Sequence, residues 1–508
     1  MGTCMSSVRQ RLLKPFYSMD ENSPLIRYQK YYEKKDDNEG VSFLSGVCLV
    51  VNIMMGSGFL TLPHLIQKSG LVLGPLIMIF SNTLMRTTAR YEAEVMCRAN
   101  PIVLAQLQPL RKVQMQKDPQ EYMQLKHHTF TVPELCEIFV GKWLHQVYVV
   151  LILLYIFSAL LGFTTVFATT MSNYVSLPLF NDGQTCLVNG STQGCTYLRN
   201  FWICILALIV IPLSIKGVKE QATFQAFMAC MRFLGAFIMA ATCLYAFKYQ
   251  NHLFGPQMGL SNASRADDWK MNDFFNFREA LEIVPVSIFI QNMNSFVNLV
   301  ARDLDNKKDM RSILTLGMGL TLILYVAIGA VVAWYFYYDE IPETANILWA
   351  NILTTNFTLV KPAALFVLLF PAMDAISVFS LNAVNMAGKL MAGLYHDRMD
   401  KAEKDKFLLR FFRLTCAIPP LICSFFVGDN LDKVYACAGS VAIPISMVIP
   451  AYLNIISQQK VVSDLGFRSA RTRYSDWRSR PAVLAAVAGA GAVLFAVLLV
   501  QALFFMDY

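Results

Sequence analysis

Long stretches with few or no charged residues recur along this chain, and each is long enough to cross a bilayer as a helix. A membrane-spanning helix needs about 20 largely apolar residues. Only 15% of the 508 residues are charged, whereas soluble domains average about 25%. The sequence therefore predicts an all-α polytopic membrane protein, and not a soluble enzyme or a nucleic-acid-binding protein.

The apolar runs predict eleven transmembrane helices and two regions. The spans lie at about 42–66, 71–96, 145–170, 201–217, 223–247, 280–300, 312–336, 362–386, 408–427, 434–457 and 481–505. Residues 41–505 thus form a transmembrane domain. Residues 1–40 are polar and lack the apolar run of a signal peptide, so we expect a disordered cytosolic tail.

The positions of lysine and arginine predict the orientation of the chain. Basic residues gather in the tail and in four loops on one side, at 97–144, 301–311, 395–406 and 468–480. Cytosolic loops carry such an excess, so the N-terminus should be cytosolic and the C-terminus luminal or extracellular. The net charge of +8 is explained by this bias and does not indicate nucleic-acid binding.

Loops on the opposite side carry features of an oxidising compartment. Three N-x-[ST] sequons begin at Asn189, Asn262 and Asn356, and glycosylation acceptors lie in such loops. Cys186 and Cys195 lie in the same compartment, nine residues apart by number. We predict a disulfide between them, the alternative being two free thiols.

The first span contains residues that weaken a helix at membrane depth. It reads "VNIMMGSGFLTLP", with a Gly-x-Gly and then Pro63. Secondary transporters break such helices so that bare peptide groups meet the substrate, although small residues also serve close helix packing. We predict substrate contacts at Asn52, Met55, Gly56, Ser57 and Gly58.

The sixth span has a second polar interruption. Pro285 lies near its start, and three amides follow within four residues, at Gln291, Asn292 and Asn294. Amides at mid-membrane are costly unless they face one another or a cavity. Spans one and six occupy corresponding places in an inverted repeat of five spans, so the three amides are further candidates for substrate binding.

Several motifs resemble the amino acid/auxin permease family of sodium- or proton-coupled amino acid transporters. The resemblance rests on 52–70 ("NIMMGSGFLTLPHLIQKSG"), "ACMRFLGAF" (229–237), "LFPAMDAISVFS" (369–380) and "GSVAIPISMVIPAYLNI" (439–455). It covers about 41–505. It implies a five-plus-five inverted-repeat fold, with substrate between spans one and six and a coupling ion, Na⁺ or H⁺, between spans one and eight.

The resemblance also implies roles for individual residues. Asn52 and Ser57 match positions that contact substrate or ion, and Ser377 and Ser380 fall where the eighth span supplies a hydroxyl. Many members carry a histidine in span six where this chain has Asn292 or Asn294. The chain thus resembles a divergent branch, which leaves the ion and the substrate open.

Two intramembrane charges belong to the candidate ion site. Arg232 lies about nine residues and Asp374 about eleven residues from the cytosolic ends of their spans, so their depths agree within about 3 Å. Either the two form a structural pair, or Asp374 titrates as the proton or cation site near Asn52 and Ser57. Four further charges near the cytosolic end of span two are predicted to snorkel and to form i,i+4 pairs rather than to line a pathway: Arg86, Arg90, Glu92 and Glu94.

The tail carries two targeting motifs. "MGTCMSS" fits N-myristoylation at Gly2 with palmitoylation at Cys4. Glu21 followed by Leu25 and Ile26 reads as a sorting signal that binds an adaptor protein, so we expect an endosomal, lysosomal or vacuolar membrane, with the plasma membrane as the alternative.

The function predicted from these observations is ion-coupled amino acid transport across a membrane. The alternative is an amino-acid-binding nutrient sensor with little or no transport. We expect no metal and no cofactor beyond the coupling ion, because neither cysteines nor histidines cluster with ligand spacing.

Overall fold

The computed structural model of the chain describes residues 41–125, 129–175, 177, 186, 193–216, 218–249, 253–254, 271–336, 341–394, 405–427 and 431–504. Within these ranges the regular elements are helices, and a single isolated parallel bridge joins Val41 to Leu304. The sequence motifs at Gly2, Cys4, Glu21, Leu25, Ile26, Asn189 and Asn262 lie outside the described residues.

Fifteen α-helices of seven residues or more lie within the described ranges. In chain order they are α1 Phe43–Met54, α2 Leu62–Ser69, α3 Leu73–Leu107, α4 Val132–Phe139, α5 Lys142–Tyr174, α6 Gln193–Ile215, α7 Val218–Tyr249, α8 Ala280–Gln291, α9 Val297–Asp303, α10 Met310–Tyr335, α11 Lys361–Leu394, α12 Lys406–Val427, α13 Leu431–Ile443, α14 Ile449–Leu465 and α15 Pro481–Phe504. Shorter α-helical turns are Lys112–Lys117, Pro119–Tyr122, Met271–Phe274 and Ala350–Thr354.

Tighter or wider turns connect some of these helices. The 3₁₀ segments are Ser57–Thr61, Pro109–Arg111, Asn294–Phe296, Lys307–Asp309, Ala345–Trp349 and Trp477–Ser479. Pro444–Val448 is a π-helical segment that joins α13 to α14. The first and sixth predicted spans are therefore each built from two helices, whereas the tenth runs through a π-helical turn as one continuous helix.

The hydropathy of the helices supports a polytopic membrane protein. Among the described residues, nine helical stretches are long and apolar enough to cross a bilayer. The pair α1 and α2 passes the same test as one broken span, bent by 58°. The exact number of eleven spans stays a prediction, because α3 is not among the helices that are apolar enough to meet this test.

Helix α3 extends well past its predicted end. Its 35 residues would reach about 52 Å at 1.5 Å per residue. The predicted snorkelling of Glu92 and Glu94 is wrong, since both side chains are buried. Glu94 accepts hydrogen bonds from Arg98, Ser475 and Ser479, so the loop after α14 covers this end of α3 and replaces water.

Helices approach closely where glycine removes the side chain. A Cβ at Gly439 of α13 would lie 2.0 Å from the carbonyl oxygen of Pro285 in α8. A Cβ at Gly317 of α10 would lie 2.6 Å from Val50 Cγ1 in α1. These contacts fix α1 against α10 and α8 against α13. Helices α1 and α8 are the first halves of the two broken spans, so both breaks are held by close helix packing.

Large apolar side chains also cover much of the outer surface. Examples from four helices are Phe80, Leu208, Phe237 and Phe426, each exposed by 70% or more. Contiguous apolar surface of this kind marks a membrane interface. The membrane supplies the second environment, besides the core, in which the chain buries its apolar residues.

Two features predicted for the luminal loops can be placed. The structure contains the disulfide between Cys186 and Cys195, whose Cα atoms lie 5.6 Å apart. The disulfide links Cys186 to the first turn of α6, which contains Cys195. Asn356 lies exposed in the loop between Thr354 and Lys361.

Candidate functional site

The first predicted span is interrupted at Met55 and Gly56. α1 ends at Met54, Met55 adopts an extended conformation, and Gly56 has φ −107° and ψ −179°. The chain then makes the 3₁₀ turn Ser57–Thr61 and continues as α2, with Pro63 in the first turn of α2, where its missing N–H disturbs no hydrogen bond. The Gly-x-Gly and the proline thus mark the end of one helix and the start of another.

The end of α1 is held by a side chain from α10. The Tyr325 hydroxyl donates to the Met54 carbonyl oxygen at 2.6 Å, and the Gly56 N–H donates to the same oxygen at 2.9 Å. Non-helical backbone at membrane depth is tolerated only where protein or water supplies such partners. Tyr325 is fully buried, so it is part of the site that stabilises the break.

The two glycines of the break have different surroundings. A Cβ at Gly58 would lie 2.6 Å from Ile290 Cγ2, a distance that requires movement, whereas a Cβ at Gly56 would meet Phe163 at 3.9 Å, which is ordinary contact. Gly58 therefore serves close packing against α8. Gly56 is the glycine of the pair at which a Cβ atom would fit without displacing a neighbour.

Beside the break lies a buried ion pair between α7 and α11. Arg232 Nε donates to Asp374 Oδ1 at 2.5 Å, and Arg232 Nη1 donates to Asn52 Oδ1 of α1 at 2.9 Å. Arg232 is 3% exposed and Asp374 is fully buried. The guanidinium thus joins three helices, and the second oxygen of Asp374, Oδ2, has no hydrogen-bond partner among the described residues.

The two serines predicted for the ion site lie on the same helix as Asp374. Ser377 and Ser380 are buried, and Ser380 Oγ donates to the Ser377 carbonyl oxygen at 3.0 Å. Ser377 follows Asp374 by three residues, so the two side chains share a face of α11. The structure describes Ser57 by its backbone alone, at the first position of the 3₁₀ turn.

The sixth predicted span is interrupted at Asn292. α8 ends at Gln291, and the 3₁₀ turn Asn294–Phe296 leads into α9. Gln291 donates to the Met78 carbonyl oxygen at 3.3 Å and to Ser287 Oγ at 2.9 Å. Its role at this end of α8 is thus to tie the break to α3.

The two asparagines of this break differ in what they contact. Asn294 Nδ2 donates to Thr88 Oγ1 at 3.0 Å and to the carbonyl oxygen of Ser446 in the π-helical segment at 2.6 Å. Asn292 Oδ1 accepts from the Asn294 N–H at 3.2 Å. Asn292 Nδ2 is buried and makes no hydrogen bond of normal geometry among the described residues, and the Asn292 side chain lies beside the Tyr155 hydroxyl, so it is the amide of this break with a weakly engaged donor.

The two breaks lie against each other and beside an aromatic cluster. Gly58 contacts Ile290 and Phe289, which come just before the second break. The ring of Phe289 lies 5.6 Å from that of Tyr155 and 5.2 Å from that of Tyr435, measured between centroids. Apolar rings with a few polar groups are the usual lining of small-molecule sites.

A cavity of about 290 Å³ lies at another place, the predicted cytosolic end of the bundle. Its lining residues are Gln120, Met123, Gln124, Leu125, Lys307, Lys308, Arg473 and Tyr474. No residue of either break lines this cavity. At the first break the glycines are covered by the side chains of Phe163 and Ile290.

Three residues of the site gave no signal in the sequence. Tyr325 is a lone tyrosine in an apolar run, and Thr88 and Ser446 are small polar residues without a motif. They contact the breaks through Met54 and Asn294. A lone hydroxyl in a span is an inconspicuous signal, but each of these supplies a hydrogen bond where a helix is interrupted.

Comparison with known proteins agrees with the resemblance seen in the motifs. A search of curated proteins finds no significant match to this chain. The family model described as "Transmembrane amino acid transporter protein" matches residues 39–468. The match includes both broken spans and the Arg232–Asp374 pair, and it covers most of the chain, so the chain belongs to the transmembrane amino acid transporter family.

Proposed function

We propose that the protein is a secondary active transporter that binds an amino acid at the two breaks and moves it across the membrane, driven by an ion gradient. The observation that carries the proposal is the position of the Arg232–Asp374–Asn52 cluster directly beside the interrupted α1. A zwitterion needs partners of both signs within a short distance, and a broken helix next to a buried ion pair supplies them.

The substrate contacts follow from what each candidate residue already binds. Met55, Gly56 and Ser57 offer backbone groups outside an α-helix, and Asn292 offers a buried Nδ2 that makes no hydrogen bond of normal geometry within the part of the chain that the structure describes. Asn52, Gln291 and Asn294 stay in the proposed site with one amide atom each engaged. Gly58 shapes the site by its contact with Ile290, and we assign it packing rather than ligand contact.

The coupling ion follows from what already occupies the space between α1 and α11. Asn52 and Asp374 offer oxygen atoms suited to a hard cation such as Na⁺, but both are bound by the Arg232 guanidinium at 2.9 Å and 2.5 Å. The guanidinium is a cation that is covalently part of the protein, and it neutralises Asp374 at the position where a dissolved cation such as Na⁺ would otherwise bind. We therefore expect transport to be independent of sodium and driven by protons, and we assign Ser377 and Ser380 to the lining of the space that the Arg232 guanidinium fills.

The finer architecture and the location belong to the same proposal. Interruptions in the first and sixth predicted spans fit a five-plus-five inverted repeat. We place the N-terminus in the cytosol, the disulfide and Asn356 in the lumen, and the protein in an endosomal or lysosomal membrane through Glu21, Leu25 and Ile26, with Gly2 and Cys4 as lipid sites.

The test is uptake of labelled amino acids by proteoliposomes that contain the purified protein, with sodium and pH gradients imposed separately and in both directions. We expect accumulation of at least one amino acid under a pH gradient and none under a sodium gradient alone. Equilibrium binding of an amino acid without uptake or exchange would instead identify the sensor. No binding and no uptake for any amino acid would refute the proposal.

A further inference from the structure

Glu92 in α3 is a buried carboxylate that the proposed site does not use. It is 2% exposed, and neither carboxylate oxygen has a hydrogen-bond partner among the described residues. Burying a charge without donors is unfavourable, and a glutamine or a leucine would fill the same space without that disadvantage. An unsatisfied buried carboxyl group in a transporter therefore needs an explanation other than folding.

A second buried glutamate on the same helix provides the comparison. Glu94, two residues along α3, accepts from Arg98 at 2.8 Å, from Ser475 at 3.0 Å and from Ser479 at 2.5 Å. Glu94 thus fastens the loop after α14 to α3, which is a structural role. Glu92 lies on a different face of the helix, because residues two apart are about 200° apart around a helix.

The groups near Glu92 come from three other helices, and one of these groups lies beside the second break. The ammonium of Lys389 in α11, the Tyr148 hydroxyl in α5 and the Cys136 thiol in α4 lie within electrostatic range of it. Tyr148 lies beside Ser295, in the 3₁₀ turn of the broken sixth span. The hydroxyls of Tyr148 and Ser295 are buried and have no hydrogen bond of normal geometry among the described residues.

We propose that Glu92 is the proton-binding site of this protein, placed where α3, α5 and α11 meet the second break. The carboxylate takes one proton from water on one side of the membrane and becomes a neutral carboxylic acid. Later in the transport cycle it returns the proton to water on the opposite side. A metal cation fits poorly, because the Lys389 ammonium repels it. This inference rests on the proposed ion-coupled transport.

The change in charge is positioned to act on the second break. When Glu92 is ionised, it attracts Lys389 of α11 and orients the hydroxyl of Tyr148, which lies beside Ser295, towards itself. When it is neutral, both attractions weaken. Since Ser295 lies one residue after Asn294 in the same turn, protonation would be transmitted to the amides that we assign to the substrate.

The first experiment compares Glu92→Gln with the wild type in proteoliposomes. A gradient of about one pH unit drives about tenfold accumulation for one proton per substrate, since tenfold corresponds to about 1.4 kcal/mol. We expect E92Q to keep exchange of internal for external amino acid but to lose this accumulation. Accumulation by E92Q equal to that of the wild type would overturn the proposal.

A second readout does not depend on transport. Infrared difference spectra between high and low pH should contain the band of a buried carboxylic acid in the wild type and lose it in both E92Q and Glu92→Leu. The band should persist in Asp374→Asn. An unchanged band in E92Q and E92L would refute the assignment of Glu92, whether or not the wild type moves amino acids. A wild type that moves no amino acid would by itself refute only the proposed function.

Discussion

The ion pair between Arg232 and Asp374 gives the sharpest prediction for stability. Both side chains are almost completely removed from solvent, so replacing one leaves the other charge buried and uncompensated. We expect Arg232→Met to lower the free energy of unfolding by about 3–5 kcal/mol, and Asp374→Leu by a similar amount. The double variant should return close to wild-type stability, because two apolar side chains of similar volume need no partner.

The measurement is a double-mutant cycle on the purified protein in detergent, read out as thermal or denaturant unfolding. The matched control is the pair Lys68–Glu282, whose atoms lie 3.2 Å apart but whose side chains are 40% and 37% exposed. Removing either of those partners should change stability by no more than about 1 kcal/mol. If R232M and D374L add without compensation in the double variant, the reasoning from burial is refuted.

A different substitution at Arg232 tests whether its guanidinium takes the place of a dissolved cation. Removal of the guanidinium leaves Asn52 and Asp374 with oxygen atoms that can bind sodium. We expect sodium to stabilise Arg232→Ala by about 2.7 kcal/mol at 100 times its dissociation constant, and to leave the wild type unchanged at matched ionic strength. Choline chloride is the control salt. Equal stabilisation of both proteins by sodium would show that the guanidinium does not occupy a cation site.

Three further predictions concern packing, the break and the orientation. On α10, Gly317→Ala should destabilise the protein by about 1–3 kcal/mol, because its Cβ would lie 2.6 Å from Val50 Cγ1. A Cβ at Gly319 would have no atom within 4 Å, so Gly319→Ala should stabilise the protein by about 0.5–1 kcal/mol. Equal unfolding temperatures of the two variants would contradict this prediction. Tyr325→Phe removes the bond to the Met54 carbonyl oxygen and should lower stability by about 1–2 kcal/mol and reduce uptake, while Tyr197→Phe, which is 58% exposed, should do neither. Asn356→Gln should remove one glycan that peptide N-glycosidase releases from the wild type, and an identical electrophoretic shift in both proteins would argue against a luminal position for this loop.

The sequence allowed the prediction of the features that depend on local chemistry. Gly56, Gly58 and Pro63 predicted an interruption of the first span because these residues weaken a helix wherever they occur. The regular rise of a helix also placed Arg232 and Asp374 at the same depth, and the structure joins them. Membership of the transporter family was visible in the motifs and is confirmed by the family model.

The features that were missed depend on partners far away in the chain. The buried state of Glu94 requires Ser475 and Ser479, which no local pattern connects to α3. The different surroundings of Gly56 and Gly58 likewise depend on Phe163 and Ile290. The tenth span looked continuous, yet Pro444 begins a π-helical turn whose Ser446 carbonyl oxygen binds Asn294.

The contact between Gly439 and Pro285 restricts how the bundle can move. The backbones of α13 and α8 touch without an intervening side chain, so neither helix can slide or rotate past the other. Under the proposed transport mechanism, α8 and α13 should therefore move together, and spin labels on these two helices should keep a constant separation through the whole transport cycle.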